Sequence, residues 1–179
     1  MIPIKPHAYA ELPQDFYNLQ NWQGFNNPLL VIENAQLKQE LGLENIEKQK
    51  LLDIFNGLLS IKNLKPLSMA YSGHQFGQYV EQLGDGRGLL LGKVDSSEGL
   101  VDIHLKGAGK TPYSRFGDGR AVLRSVIREY LCGEAMHALS IPTSRALMII
   151  GSDEMVIREK SETAAMLART AKTHIRFGN

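Results

Sequence analysis

The sequence has 179 residues, a length that indicates one domain large enough to bury a core. Hydrophobic residues make up 43% and charged residues 22%, a composition typical of soluble globular proteins. The net charge of +1 argues against a nucleic-acid partner, and no apolar run reaches the length of a membrane-spanning helix. With one cysteine and neither a secretory nor a transit pattern, we expect a cytoplasmic protein without nucleic-acid or membrane partners.

The first 66 residues are predicted to form a mostly helical N-terminal extension. Residues 1–28 indicate an irregular arm that packs through its aromatic side chains, and Leu29–Ile32 is a candidate strand. A short helix is expected to begin after the cap Asn34 and to end at Gly42. A second helix is predicted over Ile46–Leu59, where apolar residues cover one broad face.

From Leu67 onward the pattern changes to strands and glycine-rich loops. Residues 69–77 form a strand or a loop, and Leu89–Val94 and residues 101–106 are predicted to pair around a turn at 95–99. In the return strand, alternation places Asp102, His104 and Lys106 on one face. That face is expected to meet solvent or a cleft.

The clearest predicted helix runs from Ala121 to Leu139, and its pattern favours Cys132 as a small core residue. Residues 145–151 and 155–158 then predict two strands joined by a turn at 152–154. Residues 164–169 fit either a strand or a helix. A small antiparallel sheet with one helix packed across it is the economical solution, so the expected fold class is α+β.

The segment between residues 83 and 120 contains the strongest chemical signal. It carries Gly-Asp-Gly-Arg twice, at 84–87 and at 117–120, and between them a strand leads Lys106 into the loop Gly107-Ala108-Gly109. Glycines let backbone N–H groups approach a ligand closely, and arginine and lysine side chains neutralise phosphate charge. The segment therefore predicts a nucleotide phosphate site.

Two familiar phosphate motifs are not complete here. Residues 107–111 end like a P-loop, but His104 occupies the position of its first glycine, which favours Lys110 as an exposed turn residue. The first Gly-Asp-Gly-Arg fails as a dinucleotide fingerprint because Leu89 takes the place of the last glycine and a strand follows.

Lys106 has a candidate partner on the following helix. Glu129 flanks the apolar stripe, so its carboxylate can reach the strand lysine, as in protein kinases. Glu134 is the rival partner, and unrelated surface charges remain the simpler alternative. Arg169 and Arg176 form a second candidate pair for phosphate oxygens, with two independent surface arginines as the alternative.

Several further motifs, in order and with matching spacing, resemble the selenoprotein O family, bacterial YdiU-type proteins with a protein-kinase-like fold. The matching segments are 71–77, 82–87, 105–109, 111–115, 118–124, 127–130, 141–147 and 174–178. The resemblance runs from about Tyr71 to the last residue and is loose over residues 1–70. It implies that residues 67–179 are a kinase-like N-terminal lobe behind the extension 1–66.

The resemblance also implies an activity, the transfer of AMP from ATP to Ser, Thr or Tyr hydroxyls of proteins, with Mg²⁺ or Mn²⁺. A kinase-like phosphotransferase and a non-catalytic nucleotide-binding module are the alternatives. The implied ATP-binding residues, with Lys106 paired to Glu129, are Gly84, Gly86, Arg87, Lys106, Asp118, Gly119, Arg169 and Arg176.

The family's catalytic aspartate and metal ligands belong to a C-terminal lobe, and the resemblance places them beyond residue 179. No catalytic residue or metal ligand is therefore expected among the 179 residues. The sequence stops at Asn179 directly after a structured-looking segment, so we expect a piece of a longer protein that is inactive alone.

Overall fold

The computed structural model describes residues 2–22, 24–97 and 99–179, and its core is a nine-stranded sheet. The strand order is β1-β3-β5-β6-β9-β8-β2, with β4 paired to β3 and β7 to β9, and the pairs are antiparallel. The expected α+β class is confirmed. The elements are β1 (Tyr17–Leu19), β2 (Leu29–Glu33), α1 (Ala35–Glu40), α2 (Lys48–Phe55), β3 (Leu67–Gln75), β4 (Gln78–Gly84), β5 (Gly88–Ser96), β6 (Gly99–Lys106), β7 (Ala121–Val122), α3 (Leu123–Ala138), β8 (Arg145–Ile157) and β9 (Ser161–Ala171), with short 3₁₀ turns at Ala8–Glu11 and Gln14–Phe16.

The N-terminal residues are not mostly helical, which corrects the prediction from sequence. Among the described residues of this part only α1 and α2 are α-helical, while β1 and β2 join the two ends of the sheet, which is therefore larger than expected. The cap of α1 is as predicted, because the Asn34 side chain accepts a hydrogen bond from Leu37 N at 3.0 Å. Leu51 and Phe55 of α2 are fully buried in the same cluster as Leu91 of β5. Residues 1–66 thus share their core with the sheet.

The predicted turn at 152–154 is wrong, because β8 continues through it as one strand. Three residues of β8 lie between the pairs Gly151–Ala165 and Met155–Thr163, where β9 has only one. This bulge absorbs the extra residues without ending the strand. Ser152 Oγ stabilises it by donating to Ala164 O at 3.0 Å. Residues 164–169 are strand, one of the two alternatives.

Helix α3 lies across β8 and β9, as the predicted architecture requires. Its buried Val126 packs with Ile149 and Leu167 of the sheet. The helix starts at Leu123, because the two residues before it pair with β9 as β7. Cys132 is exposed, so its expected place in the core is wrong. Among the helices of the described residues, α3 is the longest, and none is long and apolar enough to cross a membrane.

The polar face of β6 does not meet solvent at Asp102 and His104, which corrects one of the two alternatives expected for it. His104 and Lys106 line a cleft, as the other alternative states. Asp102 is 0% exposed and His104 is 1% exposed. The N-terminal arm and the segment 172–179 cover this face, since Asp102 contacts His7 Nε2 at 3.1 Å and accepts from His174 N at 2.8 Å. Alternation separates two faces but does not reveal what covers each one. In the expected 95–99 turn, Glu98 lies outside the described residues.

A cationic cleft as the candidate nucleotide site

The residues predicted to bind nucleotide come together around one cleft of about 560 Å³. The loop from β4 to β5, the end of β6, the loop before β7, strand β9 and the segment after it supply the walls. Residues that are far apart in sequence meet because β6 lies between β5 and β9 in the sheet. The predicted residues that line the cleft are Gly84, Gly86, Arg87, Lys106, Asp118, Gly119, Arg169 and Arg176.

The predicted ion pair between Lys106 and Glu129 is confirmed as a contact. Lys106 Nζ donates to Glu129 Oε2, and Arg169 NH1 donates to Oε1 of the same carboxylate at 2.7 Å. Burial raises the pKa of Glu129, but the hydrogen bond from Lys106 and the charge of Arg169 outweigh it and hold the pKa below its ordinary value. The rival Glu134 pairs with Arg145 instead, at 2.8 Å. One helix carboxylate thus holds two cations at the cleft.

Side chains of residues 111–114 hold the first Gly-Asp-Gly-Arg loop through hydrogen bonds to its backbone. Thr111 Oγ1 donates to Asp85 O at 2.8 Å, and Ser114 Oγ donates to Gly86 O at 2.5 Å. A Cβ on Gly84 would overlap the ring of Tyr113, so the loop can pack this closely only with glycine there. These contacts fix the loop's backbone at the mouth of the cleft.

Arg87, at the end of that loop, is exposed and lines the cleft. Its backbone oxygen accepts from Gly107 N at 2.7 Å, which ties the two loops together. Within the described part of the chain, its guanidinium makes no ion pair. It can therefore reach a ligand without breaking an existing contact.

The second Gly-Asp-Gly-Arg loop has a different set of partners. Asp118 accepts two hydrogen bonds from Arg158, at 2.7 and 2.9 Å, and the bond from Arg158 lowers its pKa. Gly119 has a left-handed backbone with a φ of +73°, and its oxygen accepts from Gly109 N at 3.2 Å. The loop at 107–109 thus packs against this segment, an arrangement unlike a P-loop wrapped around a phosphate.

Arg169 and Arg176, predicted as a pair, both reach the cleft from different elements. Arg169 lies in β9 and Arg176 in the segment that follows. Arg176 NH2 lies 2.7 Å from Asp85 Oδ1, and its guanidinium stacks over the Tyr71 ring at 4.5 Å. Sequence reasoning missed Asp85 as a contributor to the site. Its position inside a motif already considered important was the available signal.

The lining of the cleft carries more cationic than acidic side chains. Six cations line it against two carboxylates, Asp85 and Asp118, while Glu129 and Glu154 pair with three of the six from outside the lining. Pockets of a few hundred Å³ are the usual size for small ligands. Such an excess of guanidinium and ammonium groups around glycine backbone suits a polyphosphate. The six cations are Arg87, Lys106, Arg120, Arg158, Arg169 and Arg176.

The carboxylates at the cleft do not form a metal site. Asp85 faces Arg176, Asp118 faces Arg158, and Glu129 binds Lys106. Across residues 2–22, 24–97 and 99–179 no three His, Cys, Asp or Glu side chains are grouped to hold a metal ion. The described carboxylates at the cleft therefore do not fit Mg²⁺ or Mn²⁺. That such ligands lie elsewhere stays a prediction.

Comparisons with known proteins give one consistent answer. The family model described as "Protein adenylyltransferase SelO" matches residues 5–179, so the match also includes most of the N-terminal part. A protein nucleotidyltransferase YdiU from Vibrio parahaemolyticus is 53% identical over 174 residues, 97% of this chain and 36% of the relative. The YdiU protein of Thioalkalivibrio sulfidiphilus is 49% identical over 176 residues, again 97% of this chain and 36% of the relative.

A third relative, the protein nucleotidyltransferase YdiU of Vibrio vulnificus, is 54% identical over 173 residues, which cover 96% of this chain and 35% of the relative. The chain therefore spans about a third of the length of the curated relatives it matches. The family model, by contrast, extends over nearly all of its residues. The chain belongs to the SelO family.

Proposed function

We propose that this chain is the nucleotide-binding part of an ATP-dependent protein adenylyltransferase. The observation that carries the proposal is the contact of Lys106 and Arg169 with the two oxygens of Glu129, at a cleft lined by more cations than carboxylates. A lysine and an arginine held by one carboxylate are already ordered before a ligand arrives. Less conformational entropy is then lost when they bind phosphate oxygens.

In this proposal each part of the cleft has a separate task. The backbone at Gly84 and Gly86 lies against the nucleotide, and Arg87 closes over it from the mouth. Lys106 and the two arginines 169 and 176 bind the phosphates, and the segment with Asp118 and Gly119 forms the opposite wall. These roles are inferred from which residues line the cleft and from the sign of their charges.

The proposed reaction is the transfer of AMP to a Ser, Thr or Tyr hydroxyl of a protein. The hydroxyl oxygen bonds to the α-phosphorus, the bond from that phosphorus to the α,β-bridging oxygen breaks, and pyrophosphate leaves. Positive side chains stabilise the charge that develops on the phosphates. The relatives are named protein nucleotidyltransferases, which supports this type of chemistry.

The proposal includes the architecture and the setting inferred from the sequence. Residues 67–179 would be a kinase-like N-terminal lobe, because a strand lysine paired to a helix glutamate is the kinase arrangement. Residues 1–66 would be its extension. The base that takes the hydroxyl proton and the ligands of Mg²⁺ or Mn²⁺ would come from outside this chain, and the setting would be cytoplasmic.

A chimaera tests the proposed chemistry. This chain replaces the matching third of the Vibrio parahaemolyticus relative, and the product is incubated with Mg²⁺, an unstructured acceptor protein and ATP labelled on either the α- or the γ-phosphate. We expect label on protein from α-labelled ATP alone. Label from γ-labelled ATP would instead indicate a kinase-like phosphotransferase, and label from neither would contradict both enzymes.

Two lysines provide a matched pair for that assay. Lys106→Ala is expected to abolish AMP transfer, whereas Lys110→Ala, an exposed lysine four residues away, is expected to retain it. Retention in Lys106→Ala, or loss in Lys110→Ala, would contradict the assignment of Lys106. The 179-residue chain alone is expected to transfer no AMP, and measurable transfer by it would contradict the proposed division of roles.

A further inference from the structure

A buried aspartate holds one of the cleft arginines in place. Asp85 is 4% exposed, and its Oδ1 lies 2.7 Å from Arg176 NH2. Its Oδ2 accepts from Met69 N at 3.3 Å, so the carboxylate is itself fixed to the sheet. The Tyr71 ring covers one face of the same guanidinium at 4.5 Å. Arg176 is therefore restrained both at its edge and on its face.

A buried histidine connects the same aspartate to the second arginine. His104 Nδ1 accepts a hydrogen bond from Arg169 Nε at 3.4 Å, which places the proton of the neutral ring on Nε2. That nitrogen lies 3.9 Å from Asp85 Oδ2, an electrostatic contact beyond hydrogen-bond length. The ring also stacks on His174 at 4.8 Å. One hydrogen bond and one electrostatic contact thus link Arg169 through His104 to Asp85.

The contacts among Asp85, His104 and Arg169 require the His104 ring to be neutral. Burial lowers the pKa of His104 to about 3, so the imidazole stays neutral and can accept from Arg169. A protonated ring would add a third positive charge beside Arg169 and Arg176. The Asp85 carboxylate supplies the negative charge that faces Arg176 at 2.7 Å. Burial opposes this by raising the pKa of Asp85, but His104 and Arg176 lower it overall.

We propose that Asp85 and His104 are positioning residues that orient Arg176 and Arg169 toward the phosphates of the nucleotide. This inference rests on the proposed function and adds residues to it, because neither side chain was expected to serve the site. Asp85 acts on Arg176 directly and on Arg169 through His104. Long arginine side chains held in one orientation lose less entropy when they bind.

Arginine side-chain NMR tests the proposal without any ligand. In the ¹⁵N-labelled chain, the Nε–Hε signals of Arg169 and Arg176 are assigned with arginine-to-lysine variants. We expect Asp85→Asn, which keeps the shape of the side chain, to shift both signals, and His104→Leu to shift mainly that of Arg169. Asp95→Asn, a change at an exposed aspartate of β5, is expected to shift neither.

If Asp85 only stabilised the fold, the arginine signals would not change in a folded Asp85→Asn chain. Unchanged arginine signals in a folded Asp85→Asn chain would overturn the proposal. His104→Asn provides a second route, because its side-chain oxygen replaces the acceptor near Nδ1. We expect it to restore the Arg169 signal that His104→Leu displaces, and an equal displacement in both variants would overturn the role of His104.

ATP titrations separate this proposal from the proposed function. Asp85→Asn removes a negative charge from a phosphate site, so charge alone predicts tighter binding of ATP. Positioning predicts the opposite, a loss of about tenfold in affinity, equivalent to the loss of one charged hydrogen bond. Tighter binding would overturn the proposal.

Coupling to Arg176 completes the test. The double variant of Asp85→Asn with Arg176→Ala is expected to lose less affinity than the product of the two single losses, because the residues act together. Losses that simply multiply would overturn positioning through Arg176. If Arg176→Ala binds ATP as well as the unchanged chain does, the proposed nucleotide site is wrong. The NMR experiment then still tests whether Asp85 and His104 hold the two arginines in place.

Discussion

In the first Gly-Asp-Gly-Arg segment, 84–87, the aspartate points into the protein and the arginine lies on the surface. Asp85 is 4% exposed, and Arg87 makes no ion pair within the described residues. In the second segment, 117–120, the side chain of Asp118 is 37% exposed and that of Arg120 only 12% exposed. Identical residues therefore place their charges in opposite directions.

The surroundings of each segment explain the difference. The first segment connects two sheet strands, so its aspartate can turn toward the buried residues of β6 while its arginine reaches solvent. The second lies beneath the N-terminal arm and beside β8, where Arg120 binds Glu154 at 2.9 and 3.0 Å and stacks on Phe25 at 4.6 Å. A short motif thus supplies functional groups, and the packing around it assigns their roles.

The largest effect is expected at Gly119, the second glycine of the second segment. Gly119→Ala forces a left-handed residue to carry a Cβ, which would also overlap the backbone of Gly109. We expect a loss of about 2–5 kcal/mol in unfolding free energy, from the left-handed backbone and the overpacking together. Chemical denaturation measures it. Gly117→Ala, whose Cβ would meet Ser114 O at 3.0 Å, is the control with a smaller loss.

Arg120→Ala is expected to cost stability next. It removes the paired bonds to Glu154, the bond to Gly24 O at 2.9 Å and the contact with Phe25. Charged hydrogen bonds and a cation–π contact together predict a loss of about 2–4 kcal/mol in unfolding free energy. A loss below about 1 kcal/mol is the scale of a surface ion pair. Such a result would mean that Arg120 does not stabilise the fold as proposed.

Acid sensitivity is expected to arise beside the first segment, where His104 is buried and neutral. Its pKa falls to about 3 in the folded chain and is about 6.5 in an unfolded one. Above pH 6.5 neither form binds the proton. Between pH 6.5 and pH 3 only the unfolded form binds the proton, so the unfolding free energy decreases as the pH is lowered through this range. The expected loss of unfolding free energy at pH 5 is roughly 2 kcal/mol.

Thermal unfolding between pH 7 and pH 5 checks this. His104→Leu should flatten the pH dependence, although His174, whose pKa burial also lowers, retains part of it. His74→Leu, a change at an exposed histidine, should leave the dependence as it is. An unchanged slope in His104→Leu would contradict a neutral buried ring.

The smallest effect on stability is expected at Arg87, the counterpart of Arg120. Arg87→Ala breaks no described ion pair, so the unfolding free energy should change by less than about 0.5 kcal/mol. Its affinity for ATP should nevertheless fall roughly tenfold, as expected for one lost charged hydrogen bond. Calorimetric titration and denaturation on the same sample measure both. Equal stability losses in Arg87→Ala and Arg120→Ala would end the contrast between the two segments.

Sequence reasoning located the strands around the cleft, because alternation is a local pattern. Spacing alone left Glu129 and Glu134 as rival partners of Lys106, and only the family resemblance implied the contact with Glu129. Sequence reasoning missed the burial of His104 and Asp102, since the elements that cover them come from the two ends of the chain. It also divided β8 into two strands, because Ser152, Asp153 and Glu154 resemble a turn. Only pairing with β9 shows a bulge there.

The central claim is that the first segment, Lys106 and the two arginines form one nucleotide-phosphate site. An amide NMR titration of the ¹⁵N-labelled chain with ATP tests it most directly. The claim predicts that the signals of Gly84, Gly86 and Gly119 move together with one dissociation constant. Unmoved signals, or shifts confined to the other large cavity, of about 850 Å³ between Thr143 and Thr173, would contradict it.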